Sequence, residues 1–213
     1  MNPSLPPTTR AWVEIDLPAI DRNVGRIKQA LPPRVRYVAV VKANAYGHGM
    51  PEVATRLLQA GVDCFAVANV GEAARLREIG HDADILLLSP SLPGEMPRAV
   101  GLDLDVTLNS VAEAEALERC AASAGRKVRV HVKVDTGMGR AGVWHERACE
   151  VFAQVLASLD AAYPGFSEKL LSDDGSLVRY VNLFVDDDDV RFMEGLDTVV
   201  PDGVTVSDRK SVV

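Results

Sequence analysis

Lys42 closes an apolar, β-branched run, YVAVV (37–41), and is followed by ANAYGHG (43–49). A second stretch, VHVKVDTGMGRAG (130–142), brings Lys133, Asp135 and Arg140 together among Gly137, Gly139 and Gly142. Burying an unpaired ammonium is costly, so a lysine that ends a buried strand needs a partner or a task. In parallel α/β folds the C-terminal ends of strands carry the chemistry. A lysine there can condense with an aldehyde to form a Schiff base. The plainer reading is a lysine that leaves the sheet and extends its amine to water. In the second stretch the glycines let backbone approach a ligand closely. Arg140 offers a planar fork of donors that suits a carboxylate or a phenolate oxygen. A polar turn with a surface ion pair is the plainer alternative there.

Other candidate groups are weaker. His48, His81, His131 and His145 show neither HxH nor HxxxH spacing, so no metal site is expected. The run Asp186–Asp189 lacks the alternating ligands, glycine and distal glutamate of a calcium loop and reads as a solvated turn. Gly47 and Gly49 alone make a poor phosphate-loop signal. Trp12 and Trp144 read as core or interface residues. Cys64, Cys120 and Cys149 are odd in number and widely spaced, which argues against a disulfide framework and for a reducing, cytoplasmic setting. A net charge of −7 argues against binding nucleic acid or an anionic membrane through bulk charge. No apolar run is long enough to span a membrane.

These residues need a scaffold, and the pattern around them supplies one. Short apolar runs alternate with helical patterns: YVAVV (37–41) with 50–61, CFAVAN (64–69) with 70–80, LDVTLN (104–109) with 110–125, and VRVHVKV (128–134) with 145–160. DILLLS (84–89) leads instead into a Pro-rich loop, SPSLPGEMP. Ser110 precedes Glu113 by three residues, a capping-box pattern, and Gly61, Gly80 and Gly125 are placed to end helices. The alternation predicts about five βα units and a parallel sheet, at a spacing normal for a barrel or a doubly wound sheet. An eight-unit barrel needs roughly 250 residues, so about five units make only part of one. From about residue 160 the pattern changes to short runs set off by Asp/Gly turns, which predicts hairpins in a small β-rich segment.

AWVEIDLPAIDRN (11–23), AVVKANAYGHG (39–49) and KVDTGMGRAG (133–142) resemble alanine racemase in content, order and spacing. The resemblance covers roughly residues 10–158 and implies a partial (β/α)8 barrel that binds pyridoxal 5'-phosphate. It implies that Lys42 holds the cofactor as a Schiff base and serves as one of two bases that move the α-proton. Tyr46 would hydrogen-bond the cofactor phosphate. Arg140 would face the ring's phenolic oxygen and help place the substrate carboxylate. Lys133 would support Arg140. The substrate would be alanine, interconverted between L and D forms for peptidoglycan, and the family is homodimeric. The family's second base, a tyrosine of a C-terminal β-domain, has no match in this sequence, nor does the rest of its phosphate cup. Little racemase activity is therefore expected from this chain alone.

Residues 159–207 resemble the second half of a β-grasp sulfur carrier of the molybdopterin synthase small-subunit type. That family's terminal Gly-Gly is absent, so no sulfur-carrying residue is assigned. DRKSVV, the last six residues, is what a string resembling sequencing-adapter DNA encodes. The expected organisation is a disordered lead-in at 1–10, an incomplete racemase-like barrel domain at 11–158, a partial β-grasp segment at 159–207 and an unstructured, artefactual tail at 208–213. Two rival readings stand beside the racemase: a sulfur-carrier-like interaction module on a barrel remnant, and a non-functional misassembled product.

Overall fold

Asp16 starts the first helix, α1 (Leu17–Ala30). Its carboxylate accepts the Ala19 amide at 3.1 Å, and Pro18 fits the first turn, where no amide donor is needed. The computed structural model describes residues 12–32, 35–80, 82–148 and 150–155, and the backbone of three further strands near the C-terminus. After α1 come β1 (Ala39–Val40), α2 (Lys42–Tyr46), α3 (Met50–Gln59), β2 (Cys64–Val67), α4 (Val70–Arg77), β3 (Asp84–Leu87), α5 (Met96–Gly101), β4 (Val106–Leu108), α6 (Val111–Ala124) and β5 (Val130–Val132).

The five strands are parallel and stand in sequence order. β1 pairs with β2, β2 with β3, and β4 with β5. A single bridge from Leu86 to Asp105 joins β3 to β4. A sequential parallel order with a helix on each connection is that of a β/α barrel wall, as the alternation predicted.

Register fixes which side chains share a face. Val40, Ala66, Leu86 and Asp105 lie abreast, as do Thr107 and His131. The opposite face carries Phe65, Val67, Ile85, Leu87 and Val106, all completely buried beneath the helices. Each such side chain contributes about 1.5–3 kcal/mol of burial. α1 packs on α3, and α5 on α6, over that face. The inner face is more open: Val40 is 41% exposed, and Leu86 and Leu88 are only partly covered.

At the N-terminal end of this inner face the side chains are charged. Asp84 pairs with Arg36 at 2.7 Å and Arg129 at 2.8 Å, and Arg129 also reaches Asp105 at 2.6 Å. The His131 ring lies 3.9 Å from Asp105. Burial alone would raise the Asp105 pKa, but His131 and Arg129 beside it outweigh that and hold it below the usual carboxylate range. Burial pushes the pKa of the neighbouring Cys64 thiol up.

The structure departs from the sequence reading in several elements. The expected Pro-rich loop after β3 holds a 3₁₀ turn, Pro93–Glu95, and then α5, each with a proline at its start. Proline is tolerated there because the first helical amides have no partner to lose. The single expected strand at 128–134 breaks at Lys133, after which β6 (Val134–Asp135) pairs with β7 (Val143–Trp144). The expected helix over 145–160 begins as a 3₁₀ turn, His145–Arg147, and residues 150–155 are helical; 156–160 lie outside the described residues. Trp12 and Trp144 are about half exposed rather than core.

Toward the C-terminus, β8 (Leu183–Val185) pairs antiparallel with β9 (Asp188–Asp189) and with β10 (Val206–Asp208). Asp188 and Asp189 are thus strand residues, not turn residues as expected from the aspartate run. Asp208 closes β10, so strand pairing extends one residue into the segment expected to be unstructured; residues 209–213 lie outside the described residues, as do 1–11.

Candidate cofactor site at the strand ends

Lys42 stands immediately after β1, half-buried, two residues beyond the inward-facing Val40. The backbone then does something unusual. Ala43, Asn44, Ala45 and Tyr46 all take left-handed conformations, with φ of 51°, 56°, 53° and 55°. For residues with a Cβ this conformation costs roughly 1–2 kcal/mol each, and it is rare in consecutive positions. Such strain persists only where the surroundings over-determine it, and it clusters at functional sites.

The surroundings here are specific. Gly47 continues the positive φ at 87° without a side-chain penalty, and its amide donates to the Ala43 and Asn44 carbonyls. The Asn44 side-chain oxygen accepts the Met50 amide at 2.9 Å, capping α3 from outside because Gly49 has no side chain to do so. The Ala43 amide donates to Glu72 at 2.8 Å. His48 Nδ1 meets the Ala45 carbonyl at 2.7 Å. The turn aims Tyr46 outward, 59% exposed, with the Lys42 amine 6.0 Å from its ring centroid, at the limit of a cation–π contact.

Lys133 lies after β5 at the same end of the sheet. By strand alternation from Thr107 and His131 it falls on the inner face of the sheet. The loop beyond β6 is organised by Asp135, a buried carboxylate that accepts the amides of Gly137 and Gly139 at 3.0 Å each. Those Gly139 and Gly137 amides hold its pKa below the usual carboxylate range. Gly142 lets the loop return: a Cβ there would come within 2.8 Å of the Asp135 nitrogen and 2.9 Å of the Val134 carbonyl carbon. Arg140 projects from this loop, exposed, and its side chain makes no ion pair among the described residues.

Lys42 and Tyr46 follow β1 and Lys133 follows β5, at the C-terminal ends of parallel strands, and Arg140 stands in the loop beyond β6. The set suits a cofactor with an aldehyde, an acidic ring oxygen and a phosphate: an amine for the first, a guanidinium for the second, a phenol for the third. Asn109, which follows β4 at the same end, has a buried side-chain oxygen without a hydrogen-bond partner among the described residues. No group of acidic, histidine or cysteine side chains suited to a metal occurs among those residues. Glu72 and Asn44 were missed in the sequence. The signal for Glu72 was present, since Asn69 stands three residues before it in a capping-box pattern.

The structure shows a parallel β/α barrel wall with a lysine just past the end of its first strand. Residues 15–165 match the family model "Alanine racemase, N-terminal domain", and the chain belongs to that family. The alanine racemase of Methylacidiphilum infernorum is 40% identical over 139 residues, 65% of this chain and 36% of that protein. The solved alanine racemase of Clostridium difficile 630 superposes with a TM-score of 0.66 at 33% identity, covering 71% of this chain and 40% of that one. A histidine racemase from Leuconostoc mesenteroides superposes at 0.61 with 27% identity, over 68% and 38%. The chain thus spans well under half the length of these relatives. No helix among the described residues is long and apolar enough to cross a membrane.

Proposed function

We propose that this chain carries the lysine-bearing part of an alanine racemase site that works with pyridoxal 5'-phosphate. The observation that carries the reading is Lys42, half-buried just past the end of β1 and followed by a strained left-handed turn. When bound, the cofactor supplies the electron sink that makes the substrate α-proton acidic. This chain's residues supply position and proton handling. Lys42 Nζ would hold the cofactor through its aldehyde group and would handle the substrate α-proton on one face. Tyr46 donates its hydroxyl to the phosphate. Arg140 would offer its guanidinium to the cofactor's phenolic oxygen and the substrate carboxylate, with Lys133 beside it in a supporting place.

The substrate is alanine in both hands, and the setting is a homodimer in the cytoplasm. Racemisation needs a second base on the opposite face. The sequence has no match to the tyrosine that serves there in the family, so this chain alone turns over alanine slowly or not at all. For residues 159–207, the antiparallel order β10-β8-β9 supports the second reading, a partial β-grasp segment acting as an interaction module.

The test is an absorption titration. Adding pyridoxal phosphate to the purified chain should raise a band near roughly 420 nm, the signature of a lysine imine of this cofactor. Lys42→Ala should abolish it. A band of equal size in the variant would overturn the assignment.

A further inference from the structure

Glu72 is the third residue of α4, and its carboxylate does more than cap a helix. Oε2 accepts the amide of Ala68, the residue just before the cap, at 2.8 Å. Asn69, the cap itself, accepts the Glu72 amide at 3.0 Å in return. Oε1 turns the other way and accepts the amide of Ala43 at 2.8 Å. Ala43 follows Lys42 directly, so this bond fixes the peptide plane that leaves the lysine. It also anchors the first of four left-handed residues, a run that needs anchors because each residue in it is disfavoured.

The chain contains its own control. NVGEA (69–73) after β2 and SVAEA (110–114) after β4 are two copies of one device. In the second, Ser110 accepts the Glu113 amide at 3.2 Å and Glu113 accepts the Asn109 amide at 2.7 Å. Among the described residues Glu113 bonds only at the start of its own helix. The reach across to a neighbouring strand end belongs to Glu72, and the strand end it reaches is the one that bears Lys42.

We infer that Glu72 is the positioning residue for Lys42, tying the first peptide after the lysine to the end of β2 and so fixing the direction in which the amine leaves the strand end. The inference rests on reading Lys42 as the cofactor lysine, and two readouts on the full 213-residue chain separate the two claims. The first, without cofactor, is amide hydrogen exchange at Ala43 and Ala68. A glutamine offers one acceptor where the carboxylate offered two, so Glu72→Gln should speed exchange at Ala43 or Ala68 by about 10-fold or more, as expected for losing a bond to a charged acceptor. Glu113→Gln should speed exchange at Asn109 and leave Ala43 unchanged. The second is the rate at which pyridoxal phosphate labels Lys42. It should fall about 10-fold in Glu72→Gln, by the same loss, and stay at the wild-type rate in Glu113→Gln.

If Glu72→Gln does not fold, Glu72→Asp, too short to span both amides, replaces it with the same expectation. Unchanged exchange at Ala43 and Ala68, or an unchanged labelling rate at Lys42, overturns the inference. A wild-type chain that does not label at all, with Ala43 exchange still accelerated in the variant, supports Glu72 as the anchor and overturns the cofactor reading instead.

Discussion

Lys42 is an ordinary lysine in an extraordinary length of backbone. Four consecutive positive φ values over Ala43–Tyr46 turn the chain shortly after β1 and bring Asn44 to the start of α3. A right-handed turn, the default for these residue types, would point Tyr46 elsewhere and leave the Met50 amide without its acceptor. The second loop depends on one atom's absence. Gly142, at φ +125°, sits where a Cβ would strike the backbone of Val134 and Asp135. Backbone cannot rotate aside as a side-chain tip would. Gly142→Ala should therefore cost about 2–4 kcal/mol, combining the clash with the strained φ. It should also release the Asp135–Gly139 hydrogen bonds. A urea midpoint within error of wild type would contradict this. Neither feature was fully legible in the sequence. The glycines announced a tight loop, but Ala, Asn, Ala and Tyr carry no propensity for the left-handed region, apart from the asparagine. The turn is imposed by distant partners, Glu72 and Met50, which local residue preferences do not encode.

Among the elements, those with explicit stop and start chemistry were readable. Ser110, Glu113 and Gly125 bracket α6 as expected, with Gly125 left-handed at φ 61°. Ser110→Ala should lower stability by about 1 kcal/mol by orphaning the Glu113 amide. The comparison of urea midpoints checks it, and no change would mean the helix start is held by other contacts. α5 was hidden because its prolines look like loop residues, although proline at a first helical turn is compatible with helix. α1 was hidden behind the family resemblance of 11–23, although Asp16 and Pro18 mark its start. The break at Lys133 was hidden too. A continuous apolar alternation through 128–134 gives no sign that the chain changes partner there, and only the β6–β7 pairing reveals it.

At the scale of the whole sheet, the two faces differ: the outer one is covered by helices, while the inner one pairs charges at its N-terminal end. The parallel alternation made the wall predictable. Which side chains met across it followed from register, which no single strand encodes. The charged end makes the fold sensitive to acid. The Asp105 pKa is lower in the folded chain than in the unfolded one. Its contribution to stability is therefore complete above the ordinary carboxylate value near about pH 4, and is lost as pH falls through the lower folded value. Urea midpoints between about pH 7 and about pH 3 should fall more steeply in wild type than in Asp105→Asn. Parallel profiles would remove Asp105 from the account.

We propose that Lys42 follows β1 in order to hold an aldehyde. The most direct measurement is to mix the chain with pyridoxal phosphate, fix the product with borohydride, and locate the added mass by peptide mapping. The account predicts the label on Lys42 in the peptide that spans YVAVVKANAYGHG, well ahead of Lys133 and the remaining lysines. A label spread evenly over exposed lysines, with Lys42 no more reactive than the rest, would contradict it.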